Sequence, residues 1–199
     1  SIRQQGQGER AQQIASWVNR NFSGAEKLTR TGLRLAGVAQ DLLGDRNLGR
    51  ISGSLRRISG DRLPLWSSSM PRAAAQIKVL PSGKRAENGK VVYFPSCVTR
   101  TMGPDKKAPH QDPLHQRMQS LLDKAGFEVI FPESVAGLCC GMPLASKGLP
   151  EQADDSLRLL EEQLWAASEQ GTHPVLCDTS PCTYRMTEGM QKPLRFYEP

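Results

Sequence analysis

The sequence predicts an α/β fold, a small parallel sheet built from βαβ units that carries cysteine loops at the C-terminal strand ends and follows a helical arm. Two observations predict it. Short apolar runs alternate with stretches of helical periodicity, and each run leads into cysteine. Because parallel strands end at one edge of a sheet, we expect the cysteines to gather there, where open α/β sheets bind ligands.

Three apolar runs are the predicted strands. The first is Val91-Val-Tyr-Phe-Pro-Ser-Cys97, which contains its own cysteine. The second, Phe127-Glu-Val-Ile-Phe131, leads to the adjacent pair Cys139 and Cys140, and the third, Pro174-Val-Leu-Cys177, leads to Cys182. Each run has the length and β-branched content of a buried strand.

Two stretches between these runs are predicted helices, 112–126 and 150–171. Both place apolar residues at intervals of three and four. These residues are Leu114, Met118, Leu121, Leu122 and Ala125 in the first helix, and Ala153, Leu157, Leu160, Leu164 and Trp165 in the second.

Residues 1–62 are predicted to be a basic helical arm. One helix covers Gly8 to Phe22, a second covers Ala25 to Leu43 and ends at Gly44, and a weaker third covers Leu48 to Ile58. The first helix has an apolar stripe of Ala11, Ile14, Ala15, Trp17 and Val18, and the predicted buried side of the second helix consists of Leu28, Leu33, Leu35, Val38 and Leu42.

Residues 63–90 are rich in Pro, Ser and Gly and are predicted to be a linker. A linker of this length is expected to lie along another surface, with Trp66 as its anchor. Residues 91–199 then form a single cysteine-rich domain. The chain of 199 residues starts at Ser1 without Met, so we expect a fragment of a longer protein.

Charge divides the chain. Residues 1–90 hold 16 Lys and Arg against 6 Asp and Glu, a net charge of +10, whereas residues 91–199 hold 10 against 14, a net charge of −4. The basic residues are scattered, and the chain has no helix-turn-helix, zinc-finger or RNP motif, so we expect no nucleic-acid partner. A basic arm that docks on an acidic neighbouring surface fits this charge distribution better than binding to nucleic acid does.

The cysteines indicate metal or redox chemistry. The sequence has 5 cysteines, no secretory signal and no apolar run near the roughly 20 residues of a membrane helix, so we expect reduced thiols in the cytoplasm. Peripheral attachment to the inner face of the membrane is the alternative location. Zinc is the competing metal, although the Cys-x-x-Cys pairs typical of structural zinc are absent.

Two local features refine this site. Adjacent extended residues point in opposite directions, so Cys139 and Cys140 serve one centre only if the chain turns sharply, and Gly141 permits such a turn. Ser180-Pro181-Cys182 is typical of a helix start, which predicts a lowered pKa for Cys182. A vicinal disulfide and a purely buried role for Cys177 remain alternatives.

These residues resemble a known family. Cys97-Val-Thr-Arg-Thr-Met-Gly103, Cys139-Cys-Gly-Met-Pro143 and Cys177-Asp-Thr-Ser-Pro-Cys182 look like one unit of the cysteine-rich CCG family. That family includes heterodisulfide reductase subunits and iron–sulfur subunits of glycolate oxidase. The chain is most similar to the C-terminal iron–sulfur part of FAD-linked oxidases of the D-lactate or D-2-hydroxyglutarate dehydrogenase type.

The resemblance implies an oxidoreductase that moves electrons from reduced flavin toward a quinone or another acceptor. It implies an iron–sulfur cluster with Gly141 beside it and ligands Cys97, Cys139, Cys140 and Cys182, with Cys177 as a fifth candidate. It also implies FAD outside this chain, and as partners the flavin oxidase and ferredoxin-like domains of the same polypeptide and a second CCG unit. We therefore expect the fragment alone to be inactive, with the cluster absent or incomplete.

The sequence departs from the family where a closing Cys-x-x-Cys is usual, because here Cys177 and Cys182 are separated by four residues. Both stay candidate ligands. Arg100 and Lys147 have three open roles: compensation of thiolate charge, binding of an anionic substrate, or a solvated loop. Asp178 either tunes the site or caps a helix. The histidines are expected at the surface or at helix ends, with His110 the nearest to the Cys97 loop: His110, His115 and His173.

Overall fold

The computed structural model describes residues 9–63, 65–80 and 86–197. The predicted helix start at Gly8 and part of the linker lie outside these residues. In chain order the elements are α1 (Glu9–Arg20), α2 (Phe22–Ile58), β1 (Arg72–Ala73), β2 (Lys90–Phe94), α3 (Cys97–Thr101), β3 (Met102–Gly103), α4 (Leu114–Lys124), β4 (Glu128–Ile130), α5 (Met142–Ala145), α6 (Pro150–Ala167), β5 (Val175–Cys177) and α7 (Ser180–Gly189).

The predicted α/β fold is confirmed. Strands β4, β2 and β5 form a parallel sheet in that order, with Val92 in register with Ile130 on one side and with Val175 on the other. Val175 also bridges to Phe196, so the chain end extends the β5 edge. Strands β1 and β3 form a separate antiparallel pair. All three parallel strands therefore deliver their following loops to one edge.

The core lies between β2 and helices α6 and α7. Val91 to Phe94 are buried because β2 is the central strand. Helix α6 packs Leu157, Leu160 and Leu164 against it, as its periodicity predicts, and Met186 of α7 completes the cluster. Cys140 and Cys182 belong to the same buried cluster, so the cysteine loops are anchored in the core.

The arm agrees with its prediction at Gly44 and differs from it in its buried side. Gly44 has a non-helical φ of 74° and ψ of 161°, so the predicted second and third helices are two segments of α2 that meet at a kink at this residue. The predicted buried side of α2 is wrong. Its buried residues are Glu26 and Gln40, and four of the five predicted ones are exposed: Leu28, Leu35, Val38 and Leu42. Helix α2 meets the rest of the chain through polar contacts instead.

The linker lies along helices α2 and α4, as its length predicts. Trp66 donates from Nε1 to Asp45 Oδ1 at 3.0 Å and from its backbone N–H to Ser52 Oγ at 3.0 Å. Further along, the side chain of Gln119 accepts from the backbone N–H of Leu80 at 2.9 Å and donates to the carbonyl of Lys78 at 3.0 Å. Each anchor is a hydrogen bond to a helix.

Helix α4 also turns an unexpected face inward. His115 and Gln119 are its buried residues, whereas Leu114 and Leu121 are exposed. The linker contacts of Gln119 explain this orientation, since a buried amide needs partners. Within the described residues, no helix combines the length and the apolar character needed to cross a bilayer.

Candidate metal and thiol site

The five cysteines lie on the loops that leave the carboxyl edge of the parallel sheet. Cys97 begins α3 directly after β2, and its turn is capped by Ser96 Oγ, which accepts from the Thr99 N–H at 3.3 Å. Cys139 and Cys140 follow β4, Cys177 ends β5, and Cys182 lies in the first turn of α7. The sheet topology therefore brings together residues that are far apart in sequence.

The thiols interact in one continuous series. Cys140 Sγ lies 3.1 Å from Cys182 Sγ. Cys97 interacts with Cys139, Cys139 with Cys140, and Cys182 with Cys177. Three of these side chains are buried, namely Cys139, Cys140 and Cys182, and all five are free thiols. A buried cluster of unbridged thiols is suited to soft metal ligation or to thiol chemistry.

Cys140 has a strongly lowered pKa. Hydrogen bonding with the Cys139 and Cys182 side chains lowers the pKa of Cys140 to about 3, and nearby backbone N–H groups act in the same direction. The hydrogen bond with Cys139 also lowers the pKa of Cys97. The surroundings of Cys140 therefore favour its thiolate, which is the form that ligates metal.

The prediction that a helix start lowers the pKa of Cys182 is wrong. Cys182 does lie in the first turn of α7, but its hydrogen bonds to Cys140 and Cys177, together with burial, raise its pKa. The pKa of Cys139 is raised for the same reasons, by its contacts with Cys140 and Cys97 and by burial. Direct contact between sulfurs outweighs the helix dipole here.

Gly141 makes the sharp turn that the adjacent cysteines require. Its φ is 79°, in the left-handed region, and it is followed at once by α5. Its backbone N–H donates to Cys139 Sγ at 3.4 Å. A Cβ at this position would overlap the carbonyl oxygen of Ala153 in α6. Glycine is therefore required by the backbone conformation and by the close approach of α6.

Replacing Gly141 by alanine should lower the free energy of unfolding by about 2–4 kcal/mol, from left-handed strain and from overlap with α6. Urea unfolding followed by circular dichroism measures it. The matched control is Gly32→Ala in α2, where a Cβ would meet no atom within 4 Å, and it should stabilise by about 0.5–1 kcal/mol. Equal effects of the two substitutions would contradict the role given to Gly141.

Arg100 joins two of the cysteine loops to the arm. Its guanidinium is buried and donates to Glu26 Oε1 of α2, with Nε at 3.0 Å. It also donates to the carbonyl of Pro95 at 2.7 Å and to that of Leu138. Glu26 Oε2 accepts from the Gly137 N–H at 3.3 Å. The solvated-loop alternative for Arg100 is therefore wrong, and no pattern in the sequence singles out Glu26.

Asp178 connects two of the loops at the carboxyl edge of the sheet. Its carboxylate accepts from the Tyr93 hydroxyl at 2.8 Å, from the Ser96 N–H at 3.0 Å and from the Thr179 hydroxyl at 2.9 Å. Burial and this neighbouring carboxylate raise the pKa of Tyr93, so the hydroxyl stays a donor. Asp178 thus ties the loop after β2 to the loop after β5 and does not cap α7.

Comparison with protein families decides the identity of this part of the chain. The model of the family described as CCG, a cysteine-rich domain, matches residues 91–187. These residues form a CCG cysteine-rich domain. Comparisons with curated proteins and with solved structures gave no significant match. The matched range begins in β2 and ends in α7, and it contains all five cysteines.

The cysteine thiols of the CCG domain are chemically suitable ligands for a thiophilic metal centre. Five thiols exceed the four ligands of a closed tetrahedral zinc site. The described residues nevertheless contain no group of three or more His, Cys, Asp or Glu side chains arranged around one metal ion. Two ligands of one tetrahedral zinc lie about 3.8 Å apart, whereas Cys140 and Cys182 are separated by 3.1 Å. These sulfurs must move apart to bind a single ion.

The histidines of the CCG domain make no contact with this thiol series. His115 lies in the first turn of α4, which agrees with the expected place at a helix end, and it is completely buried. Burial lowers its pKa. His173 pairs with Glu169, and His110 is exposed. The chemistry of the edge therefore belongs to the cysteines.

Proposed function

We propose that this CCG domain is the iron–sulfur electron-transfer module of a FAD-linked 2-hydroxyacid dehydrogenase of the D-lactate type. The observation that supports it is the convergence of five thiols from three loops on one edge of a parallel sheet. Cys97, Cys139, Cys140 and Cys182 would hold the centre, with Cys177 as a fifth ligand. An iron–sulfur centre held there would accept and release electrons one at a time.

The side chains around the proposed iron–sulfur centre favour its binding. Cys140 offers a thiolate, and Arg100 places a positive charge close enough to help lower the pKa of Cys97. The buried pair of Arg100 and Glu26 fixes the loops before Cys97 and Cys139. Burial of the sulfurs excludes water and keeps the local dielectric low, which tunes the potential of a bound centre.

The proposal extends to partners and location. Electrons would come from a flavin oxidase domain and a ferredoxin-like domain of the same polypeptide and pass to a quinone or another acceptor, and a second CCG unit would complete the site. We place the protein in the cytoplasm, or peripherally on the inner face of the membrane, because five unbridged thiols suit a reducing compartment.

A second candidate is a non-catalytic thiol or zinc module that serves docking. The apolar residues exposed along α2 favour it, because they are unusual on a helix that has no contact function. This candidate predicts stoichiometric zinc and no iron. It also predicts that flavin turnover survives the loss of a cysteine.

Anaerobic purification of the complete protein, followed by measurement of iron, acid-labile sulfide and zinc, distinguishes the two. The electron-transfer proposal predicts a brown protein with iron and sulfide. It further predicts that Cys140→Ser leaves reduction of the flavin by the hydroxyacid intact while reduction of the acceptor is lost. A colourless protein with one zinc and no iron would overturn the proposal.

A further inference from the structure

Helix α2 presents an apolar stripe to solvent. The stripe consists of Leu28, Leu35, Val38 and Leu42, whose exposed fractions are 75%, 67%, 56% and 79%. These side chains share one face because they are seven, three and four residues apart. Large apolar side chains that are exposed together on one face usually indicate an interaction surface.

The stripe is exposed because the opposite face of α2 is already used. Glu26 faces the cysteine loops through Arg100, and Gln40 on the same side of the helix is also buried. Glu26 and Leu28 are two positions apart, so their side chains point about 200° apart around the helix. A partner seated on the stripe would thus lie about one helix diameter, roughly 10–12 Å, from the Glu26 side.

The border of the stripe is basic. Lys27 and Arg34 flank it, and across the described residues neither forms an ion pair. The three acids of α2 are all engaged elsewhere: Glu26 with Arg100, Asp41 with Arg72 and Lys106, and Asp45 with Lys107. The surface therefore combines an apolar line with uncompensated positive charge.

We propose that the α2 stripe binds an acidic amphipathic helix of a partner protein or domain. The spacing of the stripe is that of a coiled-coil seam, which another helix fits. Gly32 beside it has open space around its backbone and permits close approach. Carboxylates on the partner would pair with Lys27 and Arg34. The proposal is independent of which metal the thiols bind.

Two other occupants fit less well. A second copy of the chain would bring the same unpaired cations to the border. A bilayer surface favours helices with a strongly apolar face, whereas Thr31 interrupts this stripe at a seam position. An acidic helix satisfies both the apolar line and the charge.

The test uses two synthetic helical peptides with Leu at the a and d positions, one with Glu and one with Lys at the e and g positions. Fluorescence anisotropy at low salt should show the Glu peptide binding the chain at least about tenfold more tightly than the Lys peptide. Leu35→Gln should weaken binding by about tenfold or more, because it removes a buried leucine from the seam. Joint Lys27→Glu and Arg34→Glu substitution should reverse the preference.

The matched control is Leu55→Gln, which changes a half-exposed leucine of the same helix beyond the Gly44 kink and should leave binding unchanged. Equal binding of the two peptides, or binding insensitive to Leu35→Gln, would overturn the proposal. So would a dimer seen by sedimentation that Leu35→Gln dissociates. Flotation of the chain with phosphatidylserine vesicles, lost on the same substitution, would assign the stripe to a membrane surface instead.

Discussion

Replacing Glu26 by glutamine should lower the free energy of unfolding by about 3–5 kcal/mol, the usual cost of removing one partner of a buried ion pair. The Arg100 guanidinium would remain buried without its countercharge. Both carboxylate oxygens of Glu26 accept hydrogen bonds, one from Arg100 and one from the Gly137 N–H. An amide has only one acceptor oxygen, so its NH₂ group would face a donor.

Urea unfolding of the metal-free chain measures this effect. Asp61→Asn is the matched control, because it removes the same charge from the exposed Arg56–Asp61 pair, whose oxygen lies 2.7 Å from Arg56 Nε. That pair should contribute less than about 1 kcal/mol. Equal losses in the two variants would show that Glu26 does not hold Arg100 in a buried ion pair.

A double variant tests whether the loss of stability comes from an unpaired buried charge or from a general disruption of the fold. Glu26→Leu with Arg100→Met replaces both charges by apolar groups of similar size, and buried pairs replaced in this way often cost little. We expect the double variant to be more stable than Glu26→Gln. The hydrogen bonds from Arg100 to the Pro95 and Leu138 carbonyls would still be lost, so the recovery should be incomplete.

The strands, the helices between them and the edge where the cysteines meet could be predicted from the sequence. Apolar runs leading to cysteine indicate the strands, and periodicity gives the start and the buried face of α6, which ends at Ala167 and not at the predicted Gly171. These features are local and follow from burial of apolar side chains. Parallel topology then brings distant loops together without any information on specific contacts.

The orientation of α2 could not be predicted in the same way. Periodicity identifies its apolar face, but the inward face is set by Glu26, whose partner Arg100 is 74 residues away in the sequence. The same holds for α4, where a linker contact to Gln119 selects the buried side. A helix held by specific polar pairs can leave its leucines for another partner.

The assignment of the thiolate also required the structure. The helix start near Cys182 is a local signal that the sequence predicts correctly, but Cys140 Sγ approaches Cys182 Sγ across 42 residues of sequence. The contacts of Cys182 with Cys140 and Cys177, together with burial, raise its pKa, whatever the helix dipole favours. Long-range contacts of this kind leave no periodic trace in a sequence.

Replacing Cys140 by serine should weaken metal or cluster binding by at least about 100-fold, because loss of a partner outside the ligand set alone costs roughly 10–100-fold. The pKa of Cys140 is lowered by two neighbouring thiols, and serine is similar in size but cannot supply a thiolate. Iron, sulfide and zinc per chain after chelator competition measure the effect in the complete protein.

Cys177→Ser is the matched variant for that measurement. Cys177 is half-buried at the end of β5 and contacts only one end of the thiol series, through Cys182. Its loss should therefore leave more metal bound than the loss of Cys140, while circular dichroism shows that both variants fold. Full metal content in Cys140→Ser would show that Cys140 is not a ligand. Equal loss of metal in both variants would show that Cys177 is as important a ligand as Cys140.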